Sequence, residues 1–393
     1  MKISTSSINN ILIPLLYINF YLILTFDKLK NYNFANILFL VSCLLIIFIY
    51  FIKKNKKIKI DTLLYSFNIL LGLLFAYFSI FFEPNLDSLF SLAKLTLIMM
   101  MSVITAQWLL NNLSKTIIYS STTFSILICI YIYMEFSSSL YVGFSAMFDN
   151  PNSLGLVLSL PLFLNLYSFL FYENKKELLL SLISFILIIP LCLYSNSRTS
   201  ILSPLISILF ILPFYLKNRV SIKYTLIITL ITCIIFSLFM LLPIIGEIIN
   251  STIIDKFSRK GSDNITNGRA EYILEALNYL KYLSPSLLPS FIIVDNTYIA
   301  YAVNFGIISA FLFFSTLIIY PIMLFISRRN YNEKQYYFLF GIYIYYFFYS
   351  ILESIRITPL TLFFLCGFFI IIRNFSNKKI KSVNYANIVQ TSK

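Results

Sequence analysis

Long apolar runs separated by short polar connections dominate this chain of 393 residues. A helix satisfies its own backbone hydrogen bonds in hydrocarbon, and about 20 apolar residues are needed to cross it. The pattern therefore predicts an all-α, polytopic membrane protein, with about 12 transmembrane helices in a single transmembrane domain over residues 1–393. The predicted spans are 8–25, 34–52, 62–82, 89–110, 116–136, 152–172, 178–195, 199–216, 224–246, 297–326, 336–352 and 358–372.

Two of these runs have bounds that hydropathy alone does not determine. The run at 297–326 is longer than one span requires. Residues 178–216 could form one re-entrant unit, but Asn196, Ser197 and Arg198 favour a turn between two spans.

The connection at residues 247–295 is unlike the others because it is too long and too charged to be a simple turn. Its charged residues include Lys256, Arg259, Lys260, Arg269, Glu271, Glu275 and Asp295. A segment that begins at Arg269 has one apolar face, made of Ile273, Ala276, Leu277 and Leu280. Because Glu271, Glu275 and Asn278 occupy the other face, the segment is predicted to be a short amphipathic helix on the membrane surface.

Composition supports a membrane location and sets the predicted orientation. The chain is 59% hydrophobic and only 12% charged, with a mean hydropathy of +0.85, which is too much apolar surface for water to be the solvent. When the Lys-rich connection after the second span is assigned to the cytoplasm, most of the 30 Lys and Arg residues fall on that side. This positive-inside pattern predicts an even number of spans with both termini in the cytoplasm. The net charge of +14 is thus a signal of topology, and no motif or basic stripe indicates nucleic-acid binding.

Several kinds of chemistry are excluded by residue usage. Histidine is absent, so the chain has no His general base, no His metal ligand and no His-based pH switch. The five cysteines lie in apolar runs without CxxC spacing, which argues against a zinc site or a disulfide framework. Neither a P-loop nor a dinucleotide-binding fingerprint is present, and we expect no cofactor and no metal.

Arginines on the predicted outer side are the first candidates for ligand binding. They are Arg198, Arg259, Arg269 and Arg356. A guanidinium grips phosphate oxygens bidentately, whereas a Lys ammonium is a point charge, so arginines on this face suggest an anionic ligand. The alternative is that they contact lipid phosphate or reach out of helix ends. Arg198 is the sharpest case, because a charge in a tight turn between two apolar helices is costly unless it is paired.

Further candidates for substrate binding, Asn150, Asn152, Asn296 and Tyr298, stand where two predicted spans begin. Asn150 and Asn152 lie at the start of the sixth span, and Asp295, Asn296 and Tyr298 lie where the long connection re-enters the membrane. Asp or Asn before a helix is a common N-cap, and capping alone would explain both places.

Carboxylates at the outer ends of spans are candidates for acid–base work. Asp295 is the first candidate and Glu135, at the outer end of the fifth span, is the second. Glu353 and Arg356 are three residues apart, a spacing that favours a local ion pair.

Short motifs in residues 145–325 resemble those of the O-antigen polymerase (Wzy-type) and O-antigen ligase superfamily of polytopic membrane glycosyltransferases. The resembling segments are Asn150-Pro151-Asn152-Ser153-Leu154-Gly155, Ser195-Asn196-Ser197-Arg198-Thr199, Gly268-Arg269, Asp295-Asn296-Thr297-Tyr298 and Asn304-Phe305-Gly306-Ile307-Ile308. Each motif is short and degenerate, but they occur in the order that the family has.

The resemblance implies a donor made of a sugar repeat unit on undecaprenyl diphosphate, in the inner membrane of a bacterium. Arg198 and Arg269, the second in what would be a large periplasmic loop, would then hold the diphosphate, and we add Arg356 as a third candidate. The implied partners are this lipid-linked oligosaccharide, membrane lipids, a chain-length regulator and a flippase.

Two other functions are alternatives. Ligases of this family usually carry His where this chain has Asp295-Asn296, so the missing His favours a polymerase over a ligase that transfers polysaccharide to lipid A core. A transporter of lipid-linked sugar usually has ionisable residues near the membrane midplane. In this chain Lys94 is the only clear candidate there, and the other charges gather at the outer edge, which argues against a transporter.

Overall fold

The structure is a computed structural model of the full chain. It describes residues 101–106, 113–137, 143–148, 151–171, 175–195, 197–219, 269–281, 296–353 and 365–374, together with Val41, Leu44, Leu97, Met99, Leu109, Leu140 and Tyr141. The spans predicted at 8–25, 62–82 and 224–246 lie outside these residues, as does most of the connection at 247–295.

Every regular element in the described residues is helical. Besides the helical residues 101–106, the elements are α1 (Leu113–Phe136), α2 (Pro151–Phe171), α3 (Lys175–Ser195), α4 (Arg198–Arg219), α5 (Arg269–Leu277), α6 (Thr297–Phe305), α7 (Ile307–Ile326), a 3₁₀ turn (Arg328–Asn330), α8 (Glu333–Leu352) and α9 (Leu365–Asn374). Within this part of the chain, α1, α2 and α3 are long and apolar enough to cross a membrane. The prediction of an all-α membrane protein is therefore supported, whereas the number of spans stays a prediction.

Helix α2 lies at the centre of the bundle. In the most apolar stretch of this helix 83% of the residues are buried, whereas in the corresponding stretch of α3 only 33% are buried. It packs against α1, α3, α4 and α8, and the ring of Phe163 stacks on Tyr345 of α8 with centroids 5.6 Å apart. Helix α3 instead exposes Leu179, Leu182 and Ile186 along one stripe, which is the arrangement expected of a helix that faces lipid.

A buried polar network joins α1, α2 and α3. Asn165 of α2 donates from Nδ2 to Ser184 Oγ at 2.6 Å and accepts from Thr122 Oγ1 at 3.3 Å. Ser125 Oγ lies 2.6 Å from Ser184 Oγ. Apolar surface gives little preference for one helix neighbour over another in lipid, so such hydrogen bonds help to set the pairing and register of the three helices.

The single span predicted at 297–326 is wrong, because the chain breaks at Gly306. Gly306 has φ +83°, a conformation that ends α6 and starts α7 in a new direction. The backbone N–H of Ile307 donates a hydrogen bond to the carbonyl of Lys281 at 3.0 Å. A hydropathy sum detects the apolar run but not this break in the helix.

The turn predicted between residues 195 and 199 is confirmed. Helix α3 ends at Ser195 and α4 begins at Arg198, so the chain turns between two helices there. That both helices cross the membrane, as opposed to forming one re-entrant unit, stays a prediction.

The short helix predicted to begin at Arg269 is also confirmed as α5. Its Ala276 is fully buried and packs with Val303 of α6, where Leu280 also packs. Leu277 was predicted for the same apolar face, but its side chain is 41% exposed. The packed face is narrower because one neighbouring helix, α6, covers it. The placement of α5 on a membrane surface stays a prediction.

Candidate functional site

The turn between α3 and α4 concentrates buried hydroxyl groups. Ser195 Oγ donates to the carbonyl of Cys192 at 2.8 Å and accepts from the backbone N–H of Ser197 at 3.4 Å. Ser197 Oγ lies 3.2 Å from Thr199 Oγ1, and Ser200 Oγ donates to the carbonyl of Ser197 at 2.6 Å. These side chains are all buried, so the hydroxyls hold the turn in one shape.

The first turns of α2 close over this loop. A Cβ atom on Gly155 would lie 2.5 Å from Ser197 Cβ and 3.0 Å from Ser200 Cβ. Real Cβ atoms do not approach so closely, so glycine at 155 lets the backbone of α2 touch the loop. Two segments that resemble family motifs, 150–155 and 195–199, are therefore in direct contact at Gly155.

A buried carboxylate joins Thr297, from the resembling segment 295–298, to this pair. Glu353 follows the last residue of α8 and is 8% exposed. Its Oε1 lies 3.5 Å from Thr199 Oγ1, and its backbone carbonyl accepts a hydrogen bond from Thr297 Oγ1 at 2.8 Å. Thr199 and Glu353 are 154 residues apart in the chain, so this meeting is a product of the fold. We call Gly155, Ser197, Thr199, Thr297 and Glu353 the hydroxyl–carboxylate cluster.

Asn296 fastens the start of α6 to the end of α8. Its side-chain oxygen accepts from the backbone N–H of Ile299 at 3.1 Å, so the predicted N-cap is confirmed. Its Nδ2 donates to the carbonyl of Ile351 at 3.0 Å. Asn296 therefore also positions Thr297 beside Glu353.

Helix α5 is attached to the same element. Ala276 packs on Val303, while Ile299 and Ala300 contribute to the same small apolar contact. Asn296 and Thr297 at the other end of α6 are hydrogen-bonded to Ile351 and Glu353. Helix α6 therefore contacts α5 at one end and the cluster at the other.

The two predicted diphosphate-binding arginines each begin a helix. Arg198 is the first residue of α4, between Ser197 and Thr199, and Arg269 is the first residue of α5. The first backbone N–H groups of a helix lack intrahelical partners and carry partial positive charge, which favours anions there. The backbones of both arginines are described, whereas their side chains lie outside the description.

The other candidate residues are found in different surroundings. Asn152 is half-buried as the second residue of α2. Tyr298 packs its ring on Phe314 with centroids 4.7 Å apart, and its hydroxyl lies 3.5 Å from the carbonyl of Phe347. Glu135 is exposed near the end of α1, and no hydrogen bond or ion pair within the described residues reaches its carboxylate. Asn150, Asp295 and Arg356 lie outside the described residues.

Sequence reasoning assigned Glu353 only to a local pair with Arg356 and missed its place in the cluster. The available signal was a carboxylate directly after an apolar run, which is a costly position that usually marks a partner nearby. Its partner could not be named from the sequence because Thr199 is on another helix. Models of known protein families do not match the chain, and no curated protein matches it significantly.

Proposed function

We propose that this protein is a polymerase that joins undecaprenyl-diphosphate-linked oligosaccharide repeat units into an O-antigen or capsular-type polysaccharide. It would work at the periplasmic face of a bacterial inner membrane, with both termini in the cytoplasm. The observation that carries the proposal is the hydroxyl–carboxylate cluster. In it, three segments that resemble the family motifs and are distant in sequence come together: Glu353 contacts Thr199 and Thr297, and Gly155 lies against Ser197.

The proposed reaction needs positively charged groups that bind and stabilise the leaving diphosphate. The acceptor sugar hydroxyl attacks the anomeric carbon of the donor, and the bond from that carbon to the diphosphate oxygen breaks. Undecaprenyl diphosphate departs with the electron pair, so negative charge develops on it. Arg198 and Arg269, each at a helix start, stabilise this charge more in the transition state than in the ground state, which lowers the barrier.

The reaction also needs an acceptor for the hydroxyl proton. Glu353 is a carboxylate close to Arg198 in the fold, because its Oε1 lies 3.5 Å from the hydroxyl of Thr199. A carboxylate so placed orients the acceptor hydroxyl and takes its proton as the glycosidic bond forms. Glu353 therefore joins Asp295 and Glu135 as a candidate base, and the described contacts favour Glu353 over Glu135.

The test is polymerisation by the purified protein in lipid nanodiscs supplied with a repeat unit on undecaprenyl diphosphate. The polymerase proposal expects a ladder of products on the lipid carrier and release of free undecaprenyl diphosphate. Products of one repeat unit only, with or without added lipid A core, contradict it. Attachment of preformed polymer to lipid A core without a ladder identifies a ligase instead.

A further inference from the structure

The turn between α7 and α8 presents two adjacent arginines. Arg328 and Arg329 belong to the 3₁₀ turn Arg328–Asn330, and both side chains are exposed. The guanidinium of Arg328 lies over the ring of Tyr336, 5.2 Å from its centroid. A ring face attracts a cation and limits its motion, so Arg328 is held in place while its side chain stays exposed.

The end of α9 adds a third arginine to the same turn. Arg373 Nε donates to the carbonyl of Asn330 at 2.9 Å, and its guanidinium lies over Tyr331 at 5.5 Å and over Phe369 at 5.9 Å. Burial raises the pKa of Tyr331, and a hydrogen bond with Ser327 and the charge of Arg373 offset this effect only in part. Tyr331 therefore stays neutral at physiological pH and serves Arg373 as a ring face and not as a counter-charge.

Other basic residues lie at this end of the bundle. The hydroxyl of Tyr167, near the end of α2, donates to the backbone carbonyl of Lys334 in the first turn of α8. This contact brings the start of α3, with its exposed Lys175 and Lys176, to the same end as the arginine turn.

Among the described residues at this end, acidic side chains are fewer than basic ones. Glu177 is 5% exposed and its carboxylate is bonded to Lys115 at 3.3 Å and to the hydroxyl of Tyr119 at 2.9 Å. Glu333, at the start of α8, is the other acidic residue near this end in the described part of the chain. The surface formed by Arg328, Arg329, Lys334, Arg373, Lys175 and Lys176, which we call the basic surface, thus carries an excess of positive charge.

An apolar surface stands directly beside the arginine turn. Phe325 and Ile326, the last residues of α7, are 71% and 77% exposed, and Ile322 one turn earlier is 51% exposed. A soluble anion gains nothing from these side chains. A phospholipid does, because its acyl chains cover the apolar residues while its headgroup reaches the cations.

We propose that the basic surface binds the phosphate-bearing headgroups of anionic phospholipids in the leaflet that borders this end of the bundle. Arg328 and Arg329 supply paired donors to phosphate oxygens, and Arg373 fastens α9 to the turn that presents them. The proposal rests on charge and exposed apolar surface, and does not depend on the proposed polymerase activity.

The proposal is tested by lipid titration followed by native mass spectrometry. Detergent-solubilised protein is titrated with short-chain phosphatidylglycerol and, separately, with phosphatidylcholine. We expect preferential binding of phosphatidylglycerol, weakened by added salt. Each lost charge should weaken it about fivefold, so Arg328→Gln/Arg329→Gln should lower affinity on the order of 25-fold. Lys281→Gln is the matched control, because α7, about 30 Å long, separates Lys281 from the arginine turn.

Equal binding of the two lipids, or unchanged affinity in the double variant, overturns the proposal. Displacement of phosphatidylglycerol by inorganic phosphate at similar concentration also overturns it, since the site would then be one for free anions. If the double variant does not fold, Arg329→Gln alone is measured. Its side chain is exposed, and the proposal requires a loss of about fivefold in that variant.

Discussion

The two ends of this helical bundle use polar side chains in opposite ways. At the hydroxyl–carboxylate cluster, Ser197, Thr199 and Glu353 are buried and contact one another across distant segments. At the basic surface, Arg328 and Arg329 are exposed, and the ring of Tyr336 supports Arg328. Buried polar groups are costly unless every one is satisfied, so the cluster depends on its geometry, whereas exposed cations depend mainly on their charge. The first arrangement suits a specific reaction, and the second suits contact with a charged layer.

The largest expected effect comes from removing either of the two arginines proposed to bind the diphosphate. Arg198→Ala and Arg269→Ala should each lower the polymerisation rate by roughly 10²- to 10³-fold, because the developing diphosphate charge loses a preorganised donor. Arg198→Lys should recover little activity, since an ammonium does not reproduce the bidentate fork. The measurement is product-ladder length and rate with protein in nanodiscs.

Lys281→Ala is the matched control for these arginine variants. Lys281 is an exposed cation on the segment that packs against α6, and its loss should leave the ladder unchanged. Normal ladders from both arginine variants would refute the diphosphate-grip hypothesis.

The next effect compares Glu353, which the described contacts favour as the base, with Glu135, the second candidate from the sequence. Glu353→Gln removes a proton acceptor but keeps the side-chain volume, and it should lower the rate by about 10²-fold. Glu135→Gln should have a far smaller effect, because Glu135 is exposed near the end of α1. Initial rates of carrier release at matched protein levels distinguish the two variants. A larger loss from Glu135→Gln would exclude Glu353 as the base.

A smaller effect should follow from crowding the contact between α2 and the α3–α4 turn. Gly155→Ala places a methyl group against Ser197 and should destabilise the protein by about 1–3 kcal/mol. Adding Ser197→Gly removes the closest opposing atoms and should restore part of the stability. Thermal unfolding in detergent measures both variants. Equal melting temperatures for Gly155→Ala and the unmodified protein would show that the contact is not close.

The smallest effect is expected at the basic end. Arg373→Gln loses the hydrogen bond to Asn330 and two cation–π contacts, and should cost about 1 kcal/mol of stability. Arg329→Gln, which changes an exposed side chain on the same turn, should change stability by less than about 0.5 kcal/mol. The same unfolding measurement ranks them, and an equal loss from both would mean that Arg373 does not hold α9 in place.

Local features of the site could be predicted from the sequence. Asn296 is an N-cap and Arg269 begins a short helix, as their neighbours in the chain indicated. Both depend on hydrogen bonds and periodicity within a few residues, which sequence patterns report directly. The error at 297–326 has the same origin, because the apolar pattern continues through Gly306 while the backbone does not.

The sequence by itself determined that the protein is surrounded by lipid and that its secondary structure is helical. A chain that is 59% hydrophobic must face lipid over much of its surface, and in lipid its backbone must form helices. The tertiary structure decided which polar residues meet. Hydropathy is nearly the same on every side of helices such as α2 and α3, so it does not determine which helices pack together. Helix packing is determined instead by close backbone contact at Gly155 and by hydrogen bonds such as that from Thr297 to Glu353.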